Sequence, residues 1–371
     1  MIDRPHIIAP DSSHWAKWLD AIHSPIPDVR RRAANLHERL MAQGRIPLLS
    51  WHHIEELLGG KDDECAAARV SNLQAMPFMA WLRLPHAKEG IGSIVDIFAA
   101  EVMAASEGHR DLAVVRDRAR SLLMMTGNGR LAIGDHGWVW KAVRSVLHSR
   151  QDHLTAVSTL GSMESFDQTK TIGELSKFSI ARPDVSRVKL ARIRAQAIQQ
   201  ALRGTNGDAA KAKELADDFV EQILAILPPP RTTVRDLLVS SLVSQGVEEV
   251  EIRDEYVLAD LTRLALFRNQ LQLVAEETGK SFSDLKRVPM NTIPTFVINE
   301  AFSTHRQVRD KLPGSNVHDR HLAVLAAYCD VLYVDRRTAE DLLRLRRKEP
   351  HIDALMGEIA KGSDFEALLI K

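Results

Sequence analysis

The chain has 371 residues, 45% of them apolar and 26% charged, with 49 Lys plus Arg balanced by 49 Asp plus Glu. That is the composition of an ordinary soluble protein, long enough for two or three domains or for one domain with a large insertion. It excludes a disulfide-stapled miniature, a collagen and a disordered chain, and no run approaches the ~18 apolar residues of a membrane-spanning helix.

Cys65 and Cys329 stand far apart with no CxxC spacing, and Met1-Ile2-Asp3-Arg4-Pro5 carries no apolar signal core. The expected compartment is the reducing cytoplasm. Residues 6–10 form a short apolar run that ends at Asp11-Ser12-Ser13, after which Trp15, Trp18, Leu19 and Ile22 repeat at helical spacing. This predicts a buried strand ending in an acid, then a helix with the two tryptophans in its core face. Pro25 and Pro27 break that helix. Asp28 should cap a second one that runs to Gln43 and stops at Gly44. Residues 46–49 read as a brief strand, and Ser50 as the N-cap of a helix over 51–58, closed by Gly59-Gly60. Alternating strand and helix predict a parallel sheet.

From about 91 to 285 the text is mostly Ala, Leu, Arg, Glu and Gln at helical spacing, which predicts a predominantly helical insertion; a short hairpin over 131–140 is the weakest reading in it. Alternation returns with a helix over 293–311, a loop over 313–316 and a helix over 317–328. A β-branched run, 329–335, then ends in Asp335, and a helix begins at Thr338. The expected parts are therefore 1–90 and 286–371, which together build one α/β domain with a central parallel sheet in three α/β/α layers, and 91–285 between them.

Sites in open α/β sheets gather at the C-terminal ends of the strands, so Asp11 and Asp335 are placed where chemistry occurs. Glu56, with Glu55 beside it, and Asp319 lie on helices adjoining such strands. Four converging carboxylates repel one another and raise one another's pKa, so a set of this kind implies a divalent cation. Oxygen ligation suits Mg²⁺ or Mn²⁺, and the chemistry that follows is phosphodiester hydrolysis by an activated water. Taken singly, Asp11 is as well explained as a helix cap, and Glu55-Glu56 as a solvated first turn.

The order strand-Asp11-Ser12-Ser13, then Glu56-Leu57, then Gly314-Ser315-Asn316-Val317-His318-Asp319-Arg320-His321 leading into Tyr328-Cys329-Asp330 and Val334-Asp335-Arg336-Arg337, resembles the PIN-like nuclease family. The resemblance covers roughly the first hundred and the last eighty residues. It implies that Asp11, Glu56, Asp319 and Asp335 are catalytic metal-binding acids and that Ser13 hydrogen-bonds near them. It also leans toward RNA over DNA as the substrate. Position 316 is Asn where the pattern has Asp, although an amide oxygen still serves as an acceptor. Asp330 stands as a reserve ligand. The implied partner is a nucleic acid and no membrane, with a second copy of the chain or an inhibitor protein as further candidates. The competing reading is a scaffold with a degenerate site that binds a partner and cuts nothing.

Asn316, Arg336 and Arg337, with Ser13, are the candidate phosphate contacts, and Arg344, Arg346, Arg347 and Lys348 extend that positive charge along the last long helix. The stretch Arg182–Arg194 offers a second basic surface on the insertion. His318 and His321 share a helix face, but a zinc site wants further ligands and no Cys accompanies them. His52 and His53 neighbour Glu55-Glu56 and could assist proton transfer near neutral pH, but exposed helix histidines are the commoner outcome. No Walker motif, strand-borne GxGxxG or GxSxG occurs, so nucleotide hydrolysis, dinucleotide binding and serine hydrolase chemistry lack support.

Overall fold

The computed structural model describes residues 5–60, 62–84, 90–147, 166–178, 183–205, 207–226, 233–307 and 315–370. The chain divides into two compact units, one of residues 1–149, 278–310 and 315–371, the other of residues 150–277 and 311–314. The first unit is α/β. Its strands are β1 (His6–Pro10), β2 (Arg45–Leu49), β3 (Met79–Leu82), β4 (Met124–Gly127), β5 (Val331–Val334) and β6 (Glu358–Lys361). Its first helices are α1 (Ser12–Ala21), α2 (Pro27–Ala42), α3 (Trp51–Leu58), α4 (Asp63–Gln74), α5 (Ile94–Ser106), α6 (Leu112–Leu123) and α7 (Gly129–Ile133), followed by α8 over 137–147.

The sheet order is β4-β3-β2-β1-β5-β6. β1 pairs parallel with both β2 and β5, with Pro10 opposite Tyr333; β2–β3 and β5–β6 are also parallel, and only β4 runs antiparallel, on β3. The chain leaves β1 toward β2 on one side and returns as β5 on the other. The C-terminal ends of β1 and β5 therefore form the crevice where strand order reverses, the usual ligand position in such sheets.

Side chains alternate across the sheet. Ile7 and Ala9 pack into one core layer and Ile8 into the other. The Ile8 layer holds Trp15 and Trp18 of α1, with ring centroids 5.3 Å apart, and Ile54 and Leu57 of α3. Each buried indole contributes roughly 4 kcal/mol of apolar burial. The opposite layer takes its helices from α5, α6 and the C-terminal part of the chain. Within it Glu101 on α5 is fully buried; Thr295 N and Oγ1 each donate to it at 2.8 Å, and Tyr328 Oη at 2.5 Å.

The second unit is helical where described: α9 (Ile172–Ser176), α10 (Pro183–Gly204), α11 (Ala209–Ile226), α12 (Val234–Ser244) and most of α13 (Leu258–Thr278). α9, α12 and α13 share one apolar cluster; α10 and α11 pack through Ala197 and Ala216. The chain re-enters the first unit through α14 (Phe282–Leu285), α15 (Pro294–His305), α16 (Ser315–Leu325), α17 (Arg336–Lys348) and α18 (Pro350–Asp353).

Several expectations are corrected. The helical unit begins near residue 150, not 91, because α5 and α6 cover the sheet and β4 extends it. Residues 131–140 are parts of two helices, not a hairpin. β4 itself, Met-Met-Thr-Gly, is too short to announce a strand and owes its form to pairing with β3. The helix after Pro25 begins at Pro27, so Asp28 lies in its first turn and is not its cap. β6 was not read from the sequence at all.

Candidate functional site

Asp11 leaves β1 and caps α1. Its Oδ1 accepts from Ser13 N at 2.8 Å, Ser13 Oγ at 2.6 Å and His14 N at 3.1 Å, and it lies 2.9 Å from His14 Nδ1. Asp11 is thus the cap of α1, and every one of these contacts falls on Oδ1. Burial alone would raise the Asp11 pKa, but the hydrogen bonds and charge of His14 and the Ser13 hydroxyl outweigh it and bring it down to about 2. A bonded oxygen of this kind fixes the orientation of a carboxylate, as outer-shell partners do for metal ligands. The His14 ring is wedged at Gly362, where a Cβ would stand 2.7 Å from Nε2, so only glycine admits the imidazole.

α3 brings Glu56 to the same place. Burial pushes its carboxyl above the ordinary value; His318 works against this, and the charges of Asp11 and Asp319 add to it. Ser12 Oγ lies against Glu56 and lowers its pKa, short of full hydrogen-bond geometry. His318 Nε2 stands 3.9 Å from Glu56 Oε1. Glu55 is engaged otherwise, accepting from Trp51 Nε1 at 2.8 Å, so Glu56 is the member of the pair that meets the other acids.

Asp319, buried on α16, accepts from Thr338 Oγ1 at 2.9 Å and from Arg337 at 3.2 Å. The fold thus gathers Asp11, Glu56 and Asp319. Asp335 stands at the end of the neighbouring strand but is exposed and caps α17 through Thr338 N at 2.7 Å. Thr338 links it to the cluster, since its N–H donates to Asp335 and its hydroxyl to Asp319. Asp330 falls at the opposite edge of the sheet, accepting from Ile7 N at 2.7 Å, and is excluded as a reserve ligand.

The histidines are the main surprise. His52 and His53 are buried, not exposed. Their rings lie 3.9 Å apart, and those of His52 and His321 5.9 Å apart. Burial drives the His53 pKa to about 3 and that of His52 well below the ordinary value, with the other histidines adding to the effect on His52. Both rings are therefore neutral near pH 7, the form that serves as ligand or base. The sequence did carry the signal: His52 and Glu56 are four apart and His53 and Glu56 three apart, one face of a short helix.

Among the candidate phosphate contacts, Ser13 is exposed but its hydroxyl is spent on Asp11, Arg336 is exposed and pairs with Glu340 at 2.9 Å, and Arg337 reaches Asp319. The side chain of Asn316 lies outside the described residues. Arg344, Arg346, Arg347 and Lys361 line a surface groove with Glu340 and Asp353. In the Arg182–Arg194 stretch, Arg194 is paired with Asp217 at 2.6 Å, while Arg182 and the side chains of Arg187 and Lys189 lie outside the described residues.

Among the described residues no three His, Cys, Asp or Glu side chains are arranged as they stand to hold a metal ion. The donor set nonetheless suits one in kind. The charges of Asp11 and Asp319 act on the Glu56 carboxyl, and the buried Nε2 of His52 has no hydrogen-bond partner, which a native structure normally resolves with water or an ion. Among the described residues no helix is long and apolar enough to cross a membrane. Compared with family models, curated proteins and solved structures, the chain matches none.

Proposed function

We propose that the protein is a metal-dependent nuclease of PIN-like architecture, hydrolysing phosphodiester bonds and favouring RNA. The observation that carries this reading is the meeting of Asp11, Glu56 and Asp319 at the crevice between β1 and β5, close enough that the first and last push the pKa of Glu56 up. Like charges are not drawn together without compensation, and a divalent cation is the compensation that also activates a phosphodiester.

In this reading Asp11, Glu56 and Asp319 hold Mg²⁺ or Mn²⁺, which when bound supplies an activated water near neutral pH. Asp335, whose Oδ1 caps α17, would join through its other oxygen. His14 and Ser13 keep Asp11 ionised and oriented. Arg336, exposed beside the site, is free to leave Glu340 for a phosphate, since an exposed ion pair is worth about 1 kcal/mol at most. Neutral His53, turned toward Asp11, is placed to exchange a proton there.

The second reading, a PIN-like scaffold that cuts nothing and binds a protein or nucleic-acid partner, has its own support. Arg337 sets a fixed cation on Asp319, where a metal would otherwise answer the charge. One experiment separates them. Purified protein is titrated calorimetrically with Mn²⁺ and assayed on a generic RNA, alongside Asp11→Asn and Asp319→Asn. The nuclease reading expects Mn²⁺ binding and cleavage that falls by at least about 100-fold in each variant. Absence of both heat and cleavage in the unsubstituted protein would leave the scaffold.

A further inference from the structure

A groove of about 640 Å³ is lined by α17, α18 and the end of β6, and it holds four cations, Arg344, Arg346, Arg347 and Lys361, against two acids, Glu340 and Asp353. Both acids are already engaged: Glu340 accepts from Arg336 at 2.9 Å, and Asp353 from Arg346. Arg347 gives its Nε to the Leu343 carbonyl at 3.2 Å, a bond that leaves its charge unanswered. No carboxylate among the described residues pairs with Arg344, Arg347 or Lys361. Arg344 and Lys361 share one space with Arg336: the Arg336 hydrogen bond holds the Glu340 carboxyl below its ordinary value, and the charges of Lys361 and Arg344 add to the effect.

The groove begins beside the acids. Lys361 is the register partner of Val334, the last residue of β5 before Asp335. The next residue, Gly362, donates to the Val334 carbonyl at 3.1 Å and is the glycine against which the His14 ring lies, and His14 holds Asp11. Arg336 follows Asp335 at the start of α17. Arg336, Glu340 and Arg344 are spaced one helical turn apart on one face, which puts Arg344 about 12 Å and Arg347 about 16 Å beyond Arg336 along the axis. The row of cations therefore starts at the strand ends that carry Asp11 and Asp335 and leads away from them along α17.

An elongated cationic groove suits a polyanion with regularly spaced charges. Leu343 is the one apolar side chain lining it, and no aromatic does. It therefore has neither the stacking platform that grips unpaired bases nor the Trp, Phe and Leu face that enters a lipid surface. We infer that the groove between α17 and β6 holds the phosphodiester backbone of a nucleic acid that enters the crevice, gripping it by charge without reading its bases. The inference rests on the nuclease reading above for the identity of the polyanion, and it adds where the strand runs.

The test is fluorescence anisotropy of a labelled single-stranded RNA of mixed sequence with the full chain, in EDTA so that the strand stays whole, over a series of NaCl concentrations. The triple variant Arg344→Gln, Arg347→Gln, Lys361→Gln is expected to bind at least about tenfold more weakly than the unsubstituted chain, with a salt slope shallower by about 2. The loss should be equal for a second, unrelated RNA, because phosphate contacts carry no sequence information. Glu340→Gln should act in the opposite direction, tightening binding by about threefold and steepening the slope. Such a gain cannot come from misfolding, so this variant decides if the triple variant fails to fold by circular dichroism. Unchanged affinity in either folded variant, or tighter binding to phosphatidylserine vesicles than to RNA, would overturn the groove while leaving the metal-dependent reading in place. RNA binding that follows the groove charge, with no Mn²⁺-stimulated cleavage by the unsubstituted chain, would uphold the groove and remove the nuclease reading.

Discussion

Two groups of buried carboxylates in the sheet-bearing unit are built in opposite ways. Glu101 is enclosed in the core layer of α5, and every group around it is a donor aimed at its oxygens: the Thr295 amide and hydroxyl and the Tyr328 phenol. At the end of β1, burial and the charges of Asp11 and Asp319 push the Glu56 carboxyl above its ordinary value, and the buried Nε2 of His52 has no hydrogen-bond partner. The first is a closed polar network that holds helices together. The second leaves Glu56 buried at a cost its surroundings do not remove, as the proposed metal site would require.

The comparison breaks most directly at Glu101. Glu101→Ala leaves three buried donors without an acceptor and should destabilise the protein by about 3–5 kcal/mol, read by chemical denaturation. An effect under about 1 kcal/mol would mean the network is not closed.

Glu101 also sets a pH dependence. Burial raises its pKa to about 7, against the donor bonds that lower it. The folded state therefore holds a proton that the unfolded chain has released above its ordinary value near 4.5. Stability is fully present below that value and is lost as pH rises through about 7, by on the order of 3 kcal/mol. Glu101→Gln should flatten this limb, and an unchanged slope would contradict the assignment.

Asp11 has the opposite sign. With its folded pKa near 2, below the ordinary 3.8, it contributes stability above pH 4 that disappears as pH falls through 2. The amount is about 2 kcal/mol, and Asp11→Asn should remove that acid limb. The smallest effect sharpens the contrast. Glu56→Gln removes one charge from the repelling set and should raise the melting temperature, with a gain of about 1 kcal/mol or less, while an equivalent change in a closed network never helps.

Much of this was legible in the residues. The apolar runs ending at Asp11 and Asp335, the caps of α1 and α3, and the tryptophan face of α1 follow from spacing and local chemistry, and they place the acids at strand ends. The three acids that meet were all candidates. The burial of His52 and His53 was not legible, because a histidine on an eight-residue helix carries no mark of whether another helix will cover it. Asp335 was read as equal to Asp11; only the α17 cap, with Thr338 bridging to Asp319, shows its carboxylate committed elsewhere. Asp330 lies five residues before Asp335 in a run of the same character, and only the strand direction sends it to the opposite edge.

What the sequence determined by itself is what neighbours along the chain can enforce: periodicity, caps, helix stops and the carriage of an acid at the end of a strand. The tertiary structure decided which strands became neighbours, that β4 joins an edge antiparallel, and that α16 faces α3. The reason is physical. Pairing and burial depend on groups hundreds of residues apart, and the electrostatics of Glu56 and of His52 exist only once those groups share a desolvated space.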